Sequence, residues 1–357
     1  MSHNNIVITG TGAYIPTVCT PNSNFEDREF YNPDRSRIDS EGSIVIEKFK
    51  NITGISERRY VEKDLTTSQI AAIAAQKAIE DAGADPESID QLIVAHNFGD
   101  VKSGSVQGDV LPCLASKVKH LIGLKNPKCV AYDILFGCPG WLQGSIQASA
   151  FIRAGEAKKV LVIGAETLSR VVDPNDRDSM IYSDGAGATL LEMRQEEQPR
   201  GFLSSGARSF TNDEAFLIYW GAGNKPGADP NVGYLKMHGR KIYEFALREV
   251  PKAMNQCLEA SGHSVDKLKK IFIHQANEKM DDAIVKRFYK LNGLPMPDGI
   301  MPMSIGKLGN SSVATIPTLY NMVRKGEMNG HHVQSGDLVL FASVGAGMHI
   351  NAAAYLL

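Results

Sequence analysis

Four uninterrupted apolar runs stand out along the chain: Leu92-Ile-Val94, Val160-Leu-Val-Ile163, Ile271-Phe-Ile273 and Leu338-Val-Leu-Phe341. Runs of this length without alternation predict strands covered on both faces, as in a sheet packed between helices. Each follows a stretch with helical spacing that ends at glycine. Lys77-Ala-Ile-Glu-Asp-Ala-Gly-Ala84 precedes the first, and Gln256-Cys-Leu-Glu-Ala-Ser-Gly-His263 precedes the third. A helix over Cys138 to Arg153, closed by Ala154-Gly155, precedes the second; Asn310-Ser-Ser-Val-Ala-Thr-Ile-Pro, running to Lys325-Gly326, precedes the fourth.

These units repeat. At an offset of 179 residues Glu80 falls on Glu259, Gly83 on Gly262, and Leu92-Ile-Val94 on Ile271-Phe-Ile273. The Cys138 helix and its strand echo the Asn310 helix and its strand in the same order. Glycine turns close both copies, Ser183-Asp-Gly-Ala-Gly187 and Val344-Gly-Ala-Gly347. The pattern predicts a duplicated α/β unit, with helices and sheets in layers and equivalent loops meeting at a shared centre. The polar run Met193-Arg-Gln-Glu-Glu-Gln-Pro-Arg200 marks the division, giving halves 1–193 and 201–357.

The duplication changes how single residues read. The strand end that is Ala95 in the first half is His274 in the second, and the helix start that carries Cys138 has its counterpart near Asn310. Taken singly, Cys138 reads as a small core residue, His274 as a satisfied histidine and Asn310 as a helix cap. Placed together at one centre they suit thioester chemistry, in which a thiol takes an acyl group and N–H donors stabilise an enolate. A helix N-terminus behind Cys138 would favour its thiolate. The backbone N–H groups of Cys138 and of the Gly345-Ala-Gly347 turn could form an oxyanion hole. No metal or cofactor is required beyond the substrate's own thioester carrier.

Composition narrows the classes further. The 357 residues are 43% hydrophobic and 22% charged, with a net charge of −2, which gives no global basic field for nucleic acid. Five unevenly spaced cysteines read as reduced thiols rather than a disulfide framework, and no apolar stretch reaches membrane-spanning length. A cytoplasmic protein without nucleic-acid or membrane partners is expected. Gly10-Thr-Gly12 opens like a dinucleotide fingerprint, but Ile15 replaces the third glycine and Pro16 argues against the required helix.

The chain resembles the thiolase-fold condensing enzymes, and within them the beta-ketoacyl-ACP synthase III group. The resemblance is carried by Ile6-Val-Ile-Thr-Gly-Thr-Gly-Ala-Tyr-Ile-Pro16, Thr53-Gly-Ile-Ser-Glu-Arg58, Phe136-Gly-Cys-Pro-Gly-Trp141, Asp173-Pro-Asn-Asp-Arg177, Ser183-Asp-Gly-Ala-Gly-Ala188, His274-Gln-Ala-Asn277 and Gly309-Asn-Ser-Ser312. It implies a layered α-β-α-β-α thiolase-like fold and a homodimer. It further implies an acyltransferase of fatty-acid initiation or a related pathway, working by decarboxylative Claisen condensation on an acyl-cysteine. Cys138 would be the acylated nucleophile, and His274 and Asn310 would hold the malonyl thioester carbonyl. Cys138 and Ala346 would supply the oxyanion hole, although glycine is usual at Ala346. Arg177, Val344, Gly345 and Gly347 would contact substrate, and Lys279, Lys286 and Arg287 would dock an acidic acyl carrier protein.

Relatives with other chemistry fit less well. Elongating synthases use a second histidine where this chain has Asn310, thiolases carry a second cysteine near the C-terminal turn, and hydroxymethylglutaryl-CoA synthase needs a glutamate near His96-Asn97-Phe98. A condensing enzyme or acyltransferase of specialised metabolism, and a silent partner subunit of the same fold, remain alternatives. Departures from the family concern the substrate. Lys48 and Ile52 stand where acyl-CoA users have tryptophan and arginine, which suggests a carrier-borne primer or a different CoA ester. Val344 replaces a bulkier aromatic, which suggests room for a medium or long acyl chain. The segment from Asn97 through Lys128 is longer than usual and is expected to reshape the acyl pocket or the dimer contact.

Overall fold

The computed structural model describes residues 3–357. The first half runs β1 (His3–Tyr14), β2 (Val18–Pro21), α1 (Gly42–Thr53), β3 (Glu57–Tyr60), α2 (Thr67–Ala82), β4 (Gln91–Ala95), β5 (Asp100–Val101), β6 (Gly108–Asp109), α3 (Leu114–Leu121), β7 (Val130–Ile134), α4 (Gly140–Ala154), β8 (Lys159–Thr167) and β9 (Asp184–Glu196). The second runs β10 (Gly201–Ser209), β11 (Ile218–Ala222), β12 (Gly233–Met237), α5 (Gly239–Ala260), β13 (Leu268–Ile273), α6 (Glu278–Leu291), α7 (Ile305–Leu308), α8 (Thr315–Arg324), β14 (Leu338–Gly345) and β15 (His349–Leu356).

The repeat is visible in the strand order β7-β4-β8-β9-β1-β10-β15-β14-β13. The echoed runs occupy mirrored places: Leu92-Ile-Val94 lies in β4 and Ile271-Phe-Ile273 in β13, while β8 and β14 stand one strand further in. β4 pairs parallel with β8, as β13 does with β14, and each half turns antiparallel at its next strand. The halves meet where β1 and β10 pair at Ile6 and Gly201. β9 continues to Glu196, three residues past the expected boundary at 193, because Arg200 pairs with Glu196 at 2.5 Å and Asn5 ties that carboxylate to the turn.

Three apolar cores separate five layers. α2 and α3 cover one face of β4 and β8 through Ala71, Ala75, Leu92 and Leu161. α4 and α8 lie between the two half-sheets with Trp141, Leu142, Leu319 and Phe341. α5 and α6 cover the far face through Phe245, Met254, Val285 and Leu340. The central helices are buried nearly all round, so the residues at their N-terminal ends are the ones left facing a cavity. Gly10 and Gly12 receive a plain explanation: a Cβ on either would overlap the Ala78 or Ala74 carbonyl of α2, so they permit close helix–strand packing.

A fourth cluster, built from Phe25, Phe49, Ile55, Met180 and Ile305, caps the central helices at the end where the site forms. It surrounds the buried Arg58 guanidinium, which donates to the Met180 and Thr20 carbonyls and to Asn22 Oδ1, so the Thr53–Arg58 motif serves packing and polar satisfaction.

Candidate active site

Cys138 sits two residues before the first residue of α4, in a turn that needs Gly137 at φ 61°. The turn after β14 closes onto it. A Cβ on Gly137 would come within 2.7 Å of Ala346 N, and one on Gly345 within 2.5 Å of Cys138 N, so the two small residues let the backbones meet. This brings the Ala346 and Cys138 backbones to one wall of the cavity, the arrangement expected of an oxyanion hole.

His274 follows β13 directly, anchored by its N–H to the Ala342 carbonyl at 2.9 Å. Its neighbour Gln275 is wholly buried and accepts from the backbone of Ser304 and Ile305, which holds the strand end rigid. Asn310 is clasped between Ile181 and Ser183 by backbone bonds of 3.0 and 2.9 Å. Its Oδ1 accepts the Ser312 N–H at 2.8 Å, which leaves its amide N–H groups to donate elsewhere. Cys138, His274 and Asn310 line one apolar cavity of about 290 Å³, together with Val344, Gly345 and Ala346.

Ser312, present in the sequence motif but given no role there, touches all three. Its Oγ donates to Cys138 Sγ at 3.3 Å, its N–H bonds Asn310 Oδ1, and its backbone lies near enough to the His274 ring to favour that ring's protonated form. At φ 52° it lies in the left-handed region, uncommon for serine, which the converging bonds enforce.

Electrostatics revise one expectation. Burial pushes the Cys138 thiol up to about 11, outweighing the hydrogen bond from Ser312, so the helix N-terminus does not leave a resting thiolate. Desolvation also holds His274 down at about 4, opposed by the Ser312 backbone near its ring. At neutral pH the pair is a thiol and a neutral imidazole.

The remaining predicted residues fall into three groups. Arg177, Lys48 and Ile52 line a second cavity of about 400 Å³, which shares Met237, Ile242, Ala276, Met280 and Asn310 with the first and so joins it. Asp173 and Asp176 of the same motif do not face it; they hold the buried Lys236 at 2.6 and 3.0 Å and tie β12 over the site. Gly347 lines neither cavity. It turns the chain at φ 75° beside the His349 ring, so its expected substrate contact is corrected to a backbone role. Lys279, Lys286 and Arg287 are exposed on α6; Lys286 is paired with Asp282 at 2.6 Å.

Sequence patterning missed the β11–β12 hairpin, whose Ile218, Tyr219, Trp220, Leu235 and Met237 roof the apolar cavity, with Phe98 packed on Trp220 at 5.2 Å. Its irregular, glycine-broken sequence carries no sustained period. The 97–128 segment reaches the same pocket through Asn97 and Phe98.

Residues 132–209 match the family model described as 3-oxoacyl-[acyl-carrier-protein (ACP)] synthase III, and residues 258–357 match its C-terminal counterpart. The chain is 31% identical over 348 residues to a beta-ketoacyl-[acyl-carrier-protein] synthase III of Bradyrhizobium diazoefficiens, covering 96% of this chain and 95% of that one. It is 35% identical over 312 residues to the enzyme of that name from a Synechococcus strain, covering 84% and 85%. The solved structure of the Thermus thermophilus synthase III superposes with a TM-score of 0.80 at 31% identity, covering 98% of this chain and 99% of that one. With its thiolase-like layers and its cysteine, histidine and asparagine on one cavity, the chain belongs to the 3-oxoacyl-[acyl-carrier-protein] synthase III family of condensing enzymes.

Proposed function

We propose that this chain condenses an acyl primer with malonyl carried on acyl carrier protein, through an acyl-Cys138 intermediate. The observation that carries the reading is one cavity lined by Cys138, His274 and Asn310, with the Gly345–Ala346 backbone packed against that of Gly137 and Cys138. Cys138 Sγ attacks the primer thioester; the S–C bond forms, the carrier sulfur leaves, and the thiol proton departs with it. The backbone N–H groups of Cys138 and Ala346 hold the oxyanion. A malonyl thioester then enters with its carbonyl toward His274 and Asn310, which donate N–H bonds as CO₂ leaves and charge moves onto that oxygen. The enolate carbon attacks the acyl-cysteine, the C–C bond forms as the C–S bond breaks, and the cysteine sulfur leaves as a thiolate that takes one proton from solvent to restore the thiol.

Neutral His274 suits this role. A donor that is not an acid stabilises the enolate without quenching its carbon by protonation, as an imidazolium would.

Intact-mass measurement after exposure to a panel of acyl-CoA and acyl-carrier thioesters tests the reading. We expect an acyl adduct on Cys138, heavier than acetyl for the preferred primer, because the cavity is walled by Leu168, Ile218, Leu235 and Met237 with Val344 rather than a bulkier aromatic. Loading from acetyl-CoA is expected to be slow, since Lys48 and Ile52 themselves offer no aromatic face or guanidinium, and the nucleotide has to be held instead by Arg177, Arg240 and Tyr243 of the same cavity. No adduct from any thioester would refute the reading.

The carrier is proposed to dock on α6. Lys279 and Arg287 have no acidic partner within salt-bridge distance among the described residues, whereas Lys286 is partly neutralised by Asp282. Reversing Lys286 and Arg287 to glutamate should raise KM for the carrier-borne substrate about tenfold at low salt while leaving loading by a small thioester within twofold. Equal effects on both would remove the docking role.

A second copy of the chain is proposed to cover the free edge of β7. Val130, Leu135 and Leu111 near that edge are 57%, 66% and 86% exposed, an apolar set that an isolated protomer leaves uncovered. The five free thiols suit the reducing environment of the cytoplasm.

A further inference from the structure

Behind the nucleophile lies a chain of side chains that the reaction steps above do not use. Glu166 lies near the end of β8, is 1% exposed, and its Oε1 accepts a hydrogen bond from the side-chain amide of Asn97. The same Asn97 Nδ2 donates to Ser312 Oγ at 3.3 Å, and Ser312 Oγ donates to Cys138 Sγ at 3.3 Å. Four segments of the two halves contribute one member each.

Direction is the point of such a chain. A hydroxyl has one hydrogen and two lone pairs, so an amide N–H aimed at Ser312 Oγ fills a lone pair and leaves the hydrogen for the sulfur. Turned over, the Asn97 amide would present Oδ1 instead and draw that hydrogen away. Glu166 opposes the turn, because its Oε1 accepts the second amide N–H, as a carboxylate and also as the neutral acid when the proton sits on Oε2. A carboxyl enclosed this completely is costly, and packing alone would be served by an apolar side chain.

We propose that Glu166 is a positioning residue for the nucleophile, acting through Asn97 to keep the Ser312 hydroxyl hydrogen directed at Cys138 Sγ. The hydroxyl stabilises the thiolate as it forms and retains its own hydrogen throughout. An amide does not relay protons, so the thiol proton leaves with the departing carrier thiol as before. The inference rests on Cys138 being the acylated residue.

Charge makes the arrangement pH-dependent in one direction. Desolvation, reinforced by the nearby Asp184 carboxylate, pushes Glu166 up to about 8. Neutral Glu166 leaves sulfur ionisation unopposed; ionised, it disfavours the thiolate. The other titratable groups facing the sulfur are neutral His274 and the Tyr182 hydroxyl, which burial holds far above its usual range.

The test needs no substrate. The rate of Cys138 alkylation by iodoacetamide is followed against pH on the full chain, by mass spectrometry of the Cys138 peptide. Glu166→Leu and Ser312→Ala should each slow alkylation at pH 8 about tenfold and raise its midpoint by about one pH unit. Combined, they should cost no more than either alone. Glu166→Gln keeps an oxygen for Asn97 and loses the charge, so it should react at least as fast as the parent at pH 9. The proposal is overturned if Glu166→Leu matches the parent in rate and midpoint, if Gln is as slow as Leu, or if the two losses add. Should Glu166→Leu fail to fold, Asn97→Ala carries the same expectations and the same refutation. Failure of every thioester to load the parent protein would refute the acyl-enzyme reading instead, and the alkylation profile tells the two apart.

Discussion

Cys138→Ala is expected to abolish acyl loading, with no added mass from any thioester, and to lower condensation by roughly 10⁴-fold or more, the usual cost of deleting a covalent nucleophile. No other thiol can substitute. Cys129 and Cys257 are buried in the outer helix–sheet cores with their thiols pushed up by desolvation, Cys113 precedes α3 with its sulfur bonded to Ser116 Oγ and the Ala131 carbonyl, and Cys19 lies exposed on β2; none of the four lines the cavity. Folding should survive, because alanine removes one sulfur from a half-buried position that already faces a cavity. A shift in melting temperature beyond a few degrees would mean that the sulfur packs rather than reacts. No labelling of the parent by any thioester, together with intact biological activity of the alanine variant, would favour the silent-subunit alternative, in which the fold serves only as an interaction partner. Gly137→Val should reach a similar loss by another route. Its φ of 61° and the 2.7 Å approach to Ala346 N leave no room for a side chain, so the oxyanion turn is pushed from the sulfur while the thiol remains.

The repeat explains why so much of this site was legible in the sequence. Duplicated helix–strand units leave a strong periodic record: once β4 is set on β13, the positions of Ala95 and His274 coincide, and the helix that follows Cys138 has its counterpart in the one that follows Asn310. What stayed hidden depends on contacts that no local pattern encodes. Ser312 matters because a left-handed backbone turn points it at Cys138, 174 positions away. The β11–β12 hairpin roofs the cavity because Lys236 is clamped by Asp173 and Asn224, a buried cluster assembled from distant segments. The thiol's ionisation was misjudged for a related reason. A helix N-terminus can be read from a sequence and draws a sulfur toward the thiolate, but the depth of burial that opposes it is a property of the packed layers.

His274→Ala and Asn310→Ala should separate the two half-reactions. Both are placed to act on the malonyl thioester, so acyl loading of Cys138 should remain within about threefold of the parent while CO₂ release and product formation fall roughly 10²- to 10³-fold each, the usual cost of one enolate or oxyanion donor. Asn310→Asp should be no better than alanine, because a carboxylate offers no N–H and places a negative charge beside the developing enolate. It also accepts the Ser312 N–H as asparagine does, so loop geometry is kept and the loss reports the missing donor. The pH dependence follows from burial. His274 is held at about 4, below the ordinary histidine value of 6.5, so the imidazole stays neutral and condensation should show no inflection from this group between pH 5 and 8. For the same reason the unfolded chain binds more protons here than the folded one between about pH 4 and 6.5, so this group's contribution to stability is lost as pH falls through that window. His274→Ala should remove that part of the acid sensitivity, measurable as a flatter melting temperature between pH 6.5 and 4.5. If instead loading and CO₂ release fell together in both variants, His274 and Asn310 would be acting on the primer or holding Cys138, and the division of labour proposed for the two halves would be wrong.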